Sequence, residues 1–241
     1  MVIYGINPVM EAIRAGRVRS LRVTDRASGR VSELIAAAQQ AGVQVRRMPP
    51  ADLDRAARGG VHQGVLADVE DAPDYGVADL VRGASGTPLL VVLDGIEDPH
   101  NLGAILRTVD AAGADGVIRQ SRHAAPLGGA AAKAAAGAVS HVKIAEVVNI
   151  ARAIEELKEA GIWTIGLAGD SPKSYDQIDL TVPTAFVLGA EGTGLRRLVR
   201  ERCDWLVSIP MQGHVDSLNV SVAAGISLFE AVRQRRLAGS K

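Results

Sequence analysis

The chain has almost none of the residues that build crosslinks or metal cages. Cys203 is its single cysteine, so an internal disulfide is impossible and a cysteine-based metal site is not expected. The histidines at 62, 100, 123, 141 and 214 are scattered without paired ligand spacing, which predicts no metal. Aromatic residues make up 3% of the chain against 47% hydrophobic residues, so the core must be built from Ala, Val, Leu and Ile. No apolar run approaches the length of a membrane span. The opening MVIYGINPVMEAIR has no basic segment followed by an apolar stretch and a cleavage site, and reads as no signal peptide. No membrane partner and a cytoplasmic location are therefore expected. A P-loop and a G-x-S-x-G elbow are absent as well.

Net charge is also missing: 27 basic residues balance 27 acidic ones. This argues against a protein that grips nucleic acid through overall positive charge, while leaving local patches open. Residues 1–70 contain no Lys, ten Arg and seven acids, a modest basic excess.

What is present is an alternation of helix and strand signals. In residues 1–70, a helix starting near Pro8 precedes the strand SLRVT, the helix VSELIAAAQQAG, the strand VQVRR, a short helix at 52–58 and the strand GVHQGVLADVE. This predicts a small α/β domain near the lower size limit for independent folding. Residues 71–87 hold Pro, Gly and Asp with one weak apolar cluster, and read as a linker or surface connection. From residue 88 to 241 the units lengthen. PLLVVLDG, GVIR, VKIAEV, IWTIGLAG, TAFVLG and WLVSIP are strand candidates separated by helices, which predicts an open, mostly parallel sheet covered on both faces.

Three segments of this second part could carry chemistry. In the first, residues 93–117, the strand PLLVVLDG ends in an acidic loop and Asn101 opens a helix. Ligands of open parallel sheets sit beyond the carboxyl ends of the strands, where this loop falls. Taken singly, Asn101 could be only a helix cap, and Arg107 only a surface partner of Asp110. In the second, residues 186–211, a strand runs into Gly189, Gly192 and Gly194, spaced GxxGxG rather than the dinucleotide fingerprint GxGxxG. Glu191 lies inside this run, either as a pocket carboxylate or as a helix-start acid. Arg196, Arg197 and Arg200 form a basic stripe on the following helix, read as a solvated or a phosphate-tracking face. In the third, residues 208–235, Ser217 and Asn219 stand where the last helix begins and are natural caps. That helix is expected to pack through Leu218, Val222, Ile226 and Phe229.

In order, N-L-G-A-I-L-R at 101–107, L-G-A-E-G-T-G at 188–194 with S-I-P-M at 208–211, and S-L-N-V-S-V-A at 217–223 resemble the three motifs of the SpoU/TrmH family of SPOUT methyltransferases. IYGINPVMEAI and GGVHQGVLA resemble the substrate-binding module of many members, a small α/β domain akin to a ribosomal protein. The likeness is strongest to bacterial members that methylate a guanosine ribose in the peptidyl-transferase region of 23S rRNA. It implies an α/β fold with a deep trefoil knot, S-adenosylmethionine as methyl donor, and a homodimer that completes the site. The RNA partner is then 23S rRNA or the large-subunit precursor. By matching position the cofactor meets Leu188, Gly189, Gly192, Ile209 and Leu218, with Leu167 where related enzymes often have Thr. The likeness nominates Asn101, Arg107, Glu191, Ser217 and Asn219 as the catalytic set. A tRNA substrate and a non-catalytic RNA-binding or ribosome-assembly protein of the same fold are the alternatives. A nicotinamide-dependent oxidoreductase is disfavoured by the spacing and late position of the glycine run.

Overall fold

A computed structural model describes residues 1–25, 29–70 and 74–239. The chain divides into two units, Met1–Pro73 with Leu102–Arg107 and Pro126–His141, and Asp74–Asn101 with Thr108–Ala125 and Val142–Lys241.

In the first unit, β1 (Val2–Tyr4), α1 (Ile6–Arg14), β2 (Val18–Thr24), α2 (Arg30–Gln40), β3 (Gln44–Met48), α3 (Pro50–Ala57) and β4 (Val65–Val69) follow in sequence. The sheet order is β1-β4-β2-β3; β4 runs antiparallel to both neighbours and β3 parallel to β2. Strand alternation separates the two faces. Leu66 packs with Leu53 and Ala57 of α3, whereas Leu21, Val23, Val65 and Ala67 are buried on the other face, the side of α1 and α2. The helix expected near Pro8 begins at Ile6, and β1 forms where no strand was expected.

The second unit begins in the segment expected as a linker. Residues 71–73 lie outside the described residues, but α4 (Val77–Arg82) is a regular helix. Its Val77 and Leu80 are buried in a core cluster with Leu90, Ile118 and Ile154. In chain order then follow β5 (Leu89–Asp94), α5 (Pro99–Ala112), β6 (Gly116–Gln120), α6 (Ala130–Ala134), β7 (Ile144–Val147), α7 (Ile150–Glu159), β8 (Trp163–Leu167), β9 (Thr184–Gly189), α8 (Arg197–Arg202), β10 (Trp205–Val207) and α9 (Val220–Gly239); of these, α6 and residues 102–107 of α5 belong to the first unit. The six strands pair in parallel in the order β10-β8-β9-β5-β6-β7. All six carboxyl ends therefore share one edge of the sheet. The connections from β5 run one way through β6 and β7, and those from β8 lie on the other side. The reversal at β5/β9 is a topological switch point, the position at which open parallel sheets leave a crevice for ligands.

Burial corrects the expected packing of α9. Val220, Ala224, Ser227, Leu228 and Ala231 are buried, while Val222 and Phe229 are 48% and 49% exposed. Small side chains bring the helix close to β9, and two of the large apolar ones face outward. No described helix is long and apolar enough to cross a membrane.

Candidate functional site

Three loops meet at the carboxyl edge of the parallel sheet. The first leads from β5 into α5, and its Asp98 caps that helix by accepting from the N–H groups of His100 and Asn101 at 3.0 and 3.4 Å. With Pro99 in the first turn, the helix begins before Asn101, whose side chain is not needed as a cap. Asn101 is 7% exposed, and its carboxamide oxygen accepts from Asn219 Nδ2 at 2.8 Å.

Asn219 joins all three loops. Its nitrogen donates to Asn101 and to Glu191 Oε1 at 2.7 Å. Its oxygen accepts from the Ser221 N–H at 2.9 Å and the Ser221 hydroxyl at 2.5 Å, which caps α9. A primary amide has two N–H groups and one oxygen, so the side chain is fully engaged. Ser217 does no capping: it is exposed, and its hydroxyl makes no hydrogen bond with a described residue.

The loop after β9 is shaped by close backbone contact. A Cβ on Gly189 would lie 2.2–2.4 Å from backbone atoms of Gly194 and Leu195, so only glycine fits. Gly194, at φ 66°, donates to the Ala190 carbonyl at 2.9 Å and turns the chain back over β9.

These loops enclose a pocket of about 630 Å³. Leu167, Leu188, Gly189, Gly192, Ile209 and Leu218 all line it, together with Glu191, Ser217 and Asn219. Its volume suits a drug-sized ligand. Leucine, isoleucine and Met211 faces suit a flat heterocycle, and the carboxylates of Asp170, Glu191 and Asp216 suit a ligand carrying positive charge. S-adenosylmethionine has both features, a purine and a sulfonium with an ammonium, so the residues fit it. The paired bonds from Arg200, at 2.8 and 2.9 Å, hold the Asp170 carboxyl below the usual carboxylate range.

A second pocket of about 450 Å³ shares Ala190, Glu191, Thr193, Gly194 and Val220 with the first and adds Asp94, Asn101, Gln120 and Arg196. Here the structure holds a cluster that the sequence reading missed. Asp94 is 1% exposed. It accepts from the Arg196 backbone N–H at 2.9 Å and from Nε at 2.7 Å, and it also pairs with Nη2. With its amide oxygen turned towards Arg196, Gln120 accepts from both terminal guanidinium nitrogens at 3.1 and 3.2 Å. The available signal was a charged residue ending the apolar strand LLVVLD, since a buried carboxylate needs a partner.

The expected arginine stripe does not survive as a face of free charge. Arg196 precedes α8 and is drawn to Asp94, Arg197 pairs with Glu201, and Arg200 with Asp170. Arg107 is exposed on α5 and makes no hydrogen bond or ion pair with a described residue, including Asp110. It lies six residues beyond Asn101, about 120° away around the helix axis. Among the described residues no group of three His, Cys, Asp or Glu side chains is arranged to hold a metal.

Comparison with known proteins matches this geometry to one family. Residues 88–229 match the model of the SpoU rRNA methylase family, and residues 2–75 match the model described as RNA 2′-O ribose methyltransferase substrate binding. The chain is 46% identical over 239 residues to the 23S rRNA (guanosine-2′-O-)-methyltransferase RlmB of Pseudomonas syringae pv. tomato, covering 97% of this chain and 95% of that protein. It is 45% identical over 241 residues to the RlmB of Yersinia pestis, covering 98% of each. The crystal structure of the SpoU methyltransferase AviRb from Streptomyces viridochromogenes, in complex with the cofactor AdoMet, superposes with a TM-score of 0.81 at 31% identity, covering 98% of this chain and 91% of that one. With three motif segments joined at Asn219 beyond a six-stranded parallel sheet, and with these relatives spanning nearly its full length, the chain belongs to the SpoU rRNA methylase family.

Proposed function

We propose that this protein transfers a methyl group from S-adenosylmethionine to the ribose 2′-hydroxyl of a guanosine in 23S rRNA. The observation that carries the reading is the pair of contiguous pockets, with Asn101, Glu191 and Asn219 hydrogen-bonded to one another at their shared wall. One pocket takes the cofactor and the other the acceptor nucleotide. The relatives named RlmB support the guanosine and the 23S rRNA.

The bound cofactor supplies a methyl group already activated on a sulfonium. As the oxygen–methyl bond forms, the carbon–sulfur bond would break to leave a neutral thioether, and the hydroxyl proton would pass to water; the protein's part is to place the acceptor oxygen in line and to stabilise its developing negative charge. Asn219 is a strut in this reading, because its amide is filled. Ser217, with a free hydroxyl on the cofactor pocket, is the residue that hydrogen-bonds ribose or cofactor. Glu191 and Asn101 shape the seam. Arg107 stabilises the developing alkoxide through its guanidinium N–H donors.

Because Arg107 faces a different side of α5 from Asn101, we infer that a homodimer completes the site. The exposed apolar residues Val222 and Phe229, two turns apart on α9, support a surface that a second copy covers. The threaded, knotted course is part of this reading and rests on the family likeness. Residues 1–70 recognise the RNA and 88–241 perform the transfer, in the cytoplasm where ribosomes are assembled.

The test is to map 2′-O-methyl sites in rRNA and tRNA from cells with and without the protein, alongside transfer of labelled methyl to a 23S rRNA transcript by the purified enzyme. Loss of one guanosine mark in 23S rRNA is expected. A mark lost only from tRNA, or no transfer at all, rejects the assignment.

A further inference from the structure

We propose that the sheet of the first unit carries an RNA phosphate clamp, formed by Arg22 on β2 and Arg46 on β3. This rests on the reading of the chain as an RNA methyltransferase, and it names the surface that meets the RNA.

The register places Arg22 directly opposite Arg46 and, one pair along the same face, Ser20 opposite Gln44. This face holds Leu66, which α3 covers together with Met48 and Tyr4. Beyond α3 it stays open: Gln44 and Arg46 are exposed, and Ser20, Arg22 and Asp68 are half-buried. Neighbouring strands are about 4.8 Å apart, so the two arginines leave the sheet side by side; Arg22 leans towards Asp68 of β4 and Arg46 towards Gln44 of its own strand. Like charges placed directly across a strand pair destabilise a sheet.

The protein does little to offset them. Asp68 is the carboxylate at this place, and both its oxygens are taken, one by Arg22 Nη2 at 2.7 Å and the other by the Ser20 hydroxyl at 2.8 Å. Among the described residues Arg46 has one partner, the Gln44 amide oxygen at 3.3 Å. Arg22 Nε is buried without a partner. By contrast Arg14, Arg19 and Arg55 each have an acid of their own. Among the described residues one carboxylate bonds this arginine pair, which leaves a net positive site with spare N–H donors. The ligand that suits it is an anion with several acceptor oxygens, and arginine forks match phosphate in geometry as well as charge. A backbone phosphate of structured RNA, which proteins read through phosphate and 2′-hydroxyl contacts, is the occupant. The match of residues 2–75 to a substrate-binding model supports RNA over a free anion.

The experiment uses the full-length protein and a fluorescein-labelled 23S rRNA transcript, with Kd read by anisotropy over a series of KCl concentrations. Arg46→Ala should weaken binding about tenfold and lower the slope of log Kd against log [KCl] by about one. Arg46→Glu should weaken it further, yet melt no lower than wild type, because it replaces a repulsive cross-strand pair with an attractive one. Arg47→Ala is the control: Arg47 lies on the opposite face of β3 and donates to the Asp25 carbonyl, so its Kd should not change. If Arg46→Glu binds with the wild-type Kd and salt slope while the wild type methylates the transcript, the clamp is wrong and the activity stands. If the wild type binds without transferring methyl and Arg46→Glu binds weakly, the clamp stands and the activity is wrong. A wild type that does not bind the transcript overturns both.

Discussion

Removing either partner of the Asp94–Arg196 pair should destabilise the protein, and the two losses should be unequal. Asp94 is 1% exposed, while the Arg196 side chain is 54% exposed. Arg196→Ala therefore strands a carboxylate in the interior. Breaking a buried ion pair from one side costs about 3–5 kcal/mol. The lower end applies here, because the backbone N–H of residue 196 still donates to Asp94 after the substitution. Asp94→Asn removes the charge, keeps an oxygen for that N–H, and leaves an arginine that water reaches; about 1–2 kcal/mol is expected, the cost of weakened hydrogen bonds. Against a typical total of about 5–15 kcal/mol, both are measurable by urea unfolding at neutral pH. The same pair anchors the end of the 190–196 loop that walls both pockets. Arg196→Ala should thus also weaken S-adenosylmethionine binding by calorimetry. The reasoning fails if Asp94→Asn costs more than Arg196→Ala, or if Arg196→Ala costs under about 0.5 kcal/mol, the range of an ordinary surface change.

Three further outcomes follow from single residues. Arg107→Ala should abolish methyl transfer while S-adenosylmethionine binding persists, since Arg107 does not line the pocket proposed for the cofactor; near-normal turnover would remove its proposed role. Gly189→Val should eliminate cofactor affinity by displacing Gly194 and Leu195 rather than by merely narrowing the pocket, and a crystal structure of the variant with an undisturbed 190–196 loop would contradict this. Burial, then the nearby Asp204 and Asp94 charges against an opposing Lys158, pushes the Cys203 thiol up to about 12. The unfolded chain releases this proton near pH 8.5 and the folded one does not, so stability from this group is present below about 8.5 and lost as pH rises towards 12. Cys203→Ala should flatten that part of the stability–pH curve, and an identical slope in the two proteins would refute the shift.

How far the fold could be read from the sequence depended on the length of each signal. The strands β5 to β10 all fall on the apolar runs expected for them; β5, β6 and β9 are buried on both faces and need no alternation to stand out. The three residues of β1 are too few to show a period, and the strand exists because β4 pairs with it. Helix α4 was hidden by its Gly- and Asp-rich flanks; its fold-level role comes from burying Val77 and Leu80. The site was legible as three motif segments, but not as a network. Asn101 and Asn219 are 118 positions apart, and Asp94 and Arg196 are 102 apart. Local pattern shows that Asp94 needs a partner and that Asn219 can cap a helix. It cannot show that one amide closes the cap and ties two other loops at once.

The last helix shows a different limit. Its sequence is apolar on more than one side, so periodicity alone cannot select the inner face, and choosing by side-chain size selects the wrong one. Ala224, Ser227 and Ala231 are buried because small residues let the helix axis approach the sheet closely enough for interior packing density. Val222 and Phe229 are left outside by the same geometry. A helix with one face satisfied within its own unit and a second apolar face in water has its remaining burial available only through association. Phe229 is the sharper probe: an aromatic side chain buries about 150–250 Å² in all, and about half of it is still exposed here. Phe229→Glu should leave the monomer folded, since the position is half exposed, and should shift sedimentation towards a monomer. If a second copy completes the site as proposed, transfer should fall with the association, while cofactor affinity falls less. A fully active monomeric Phe229→Glu variant would mean that one chain holds the whole site, and that Arg107 reaches the acceptor without a partner copy.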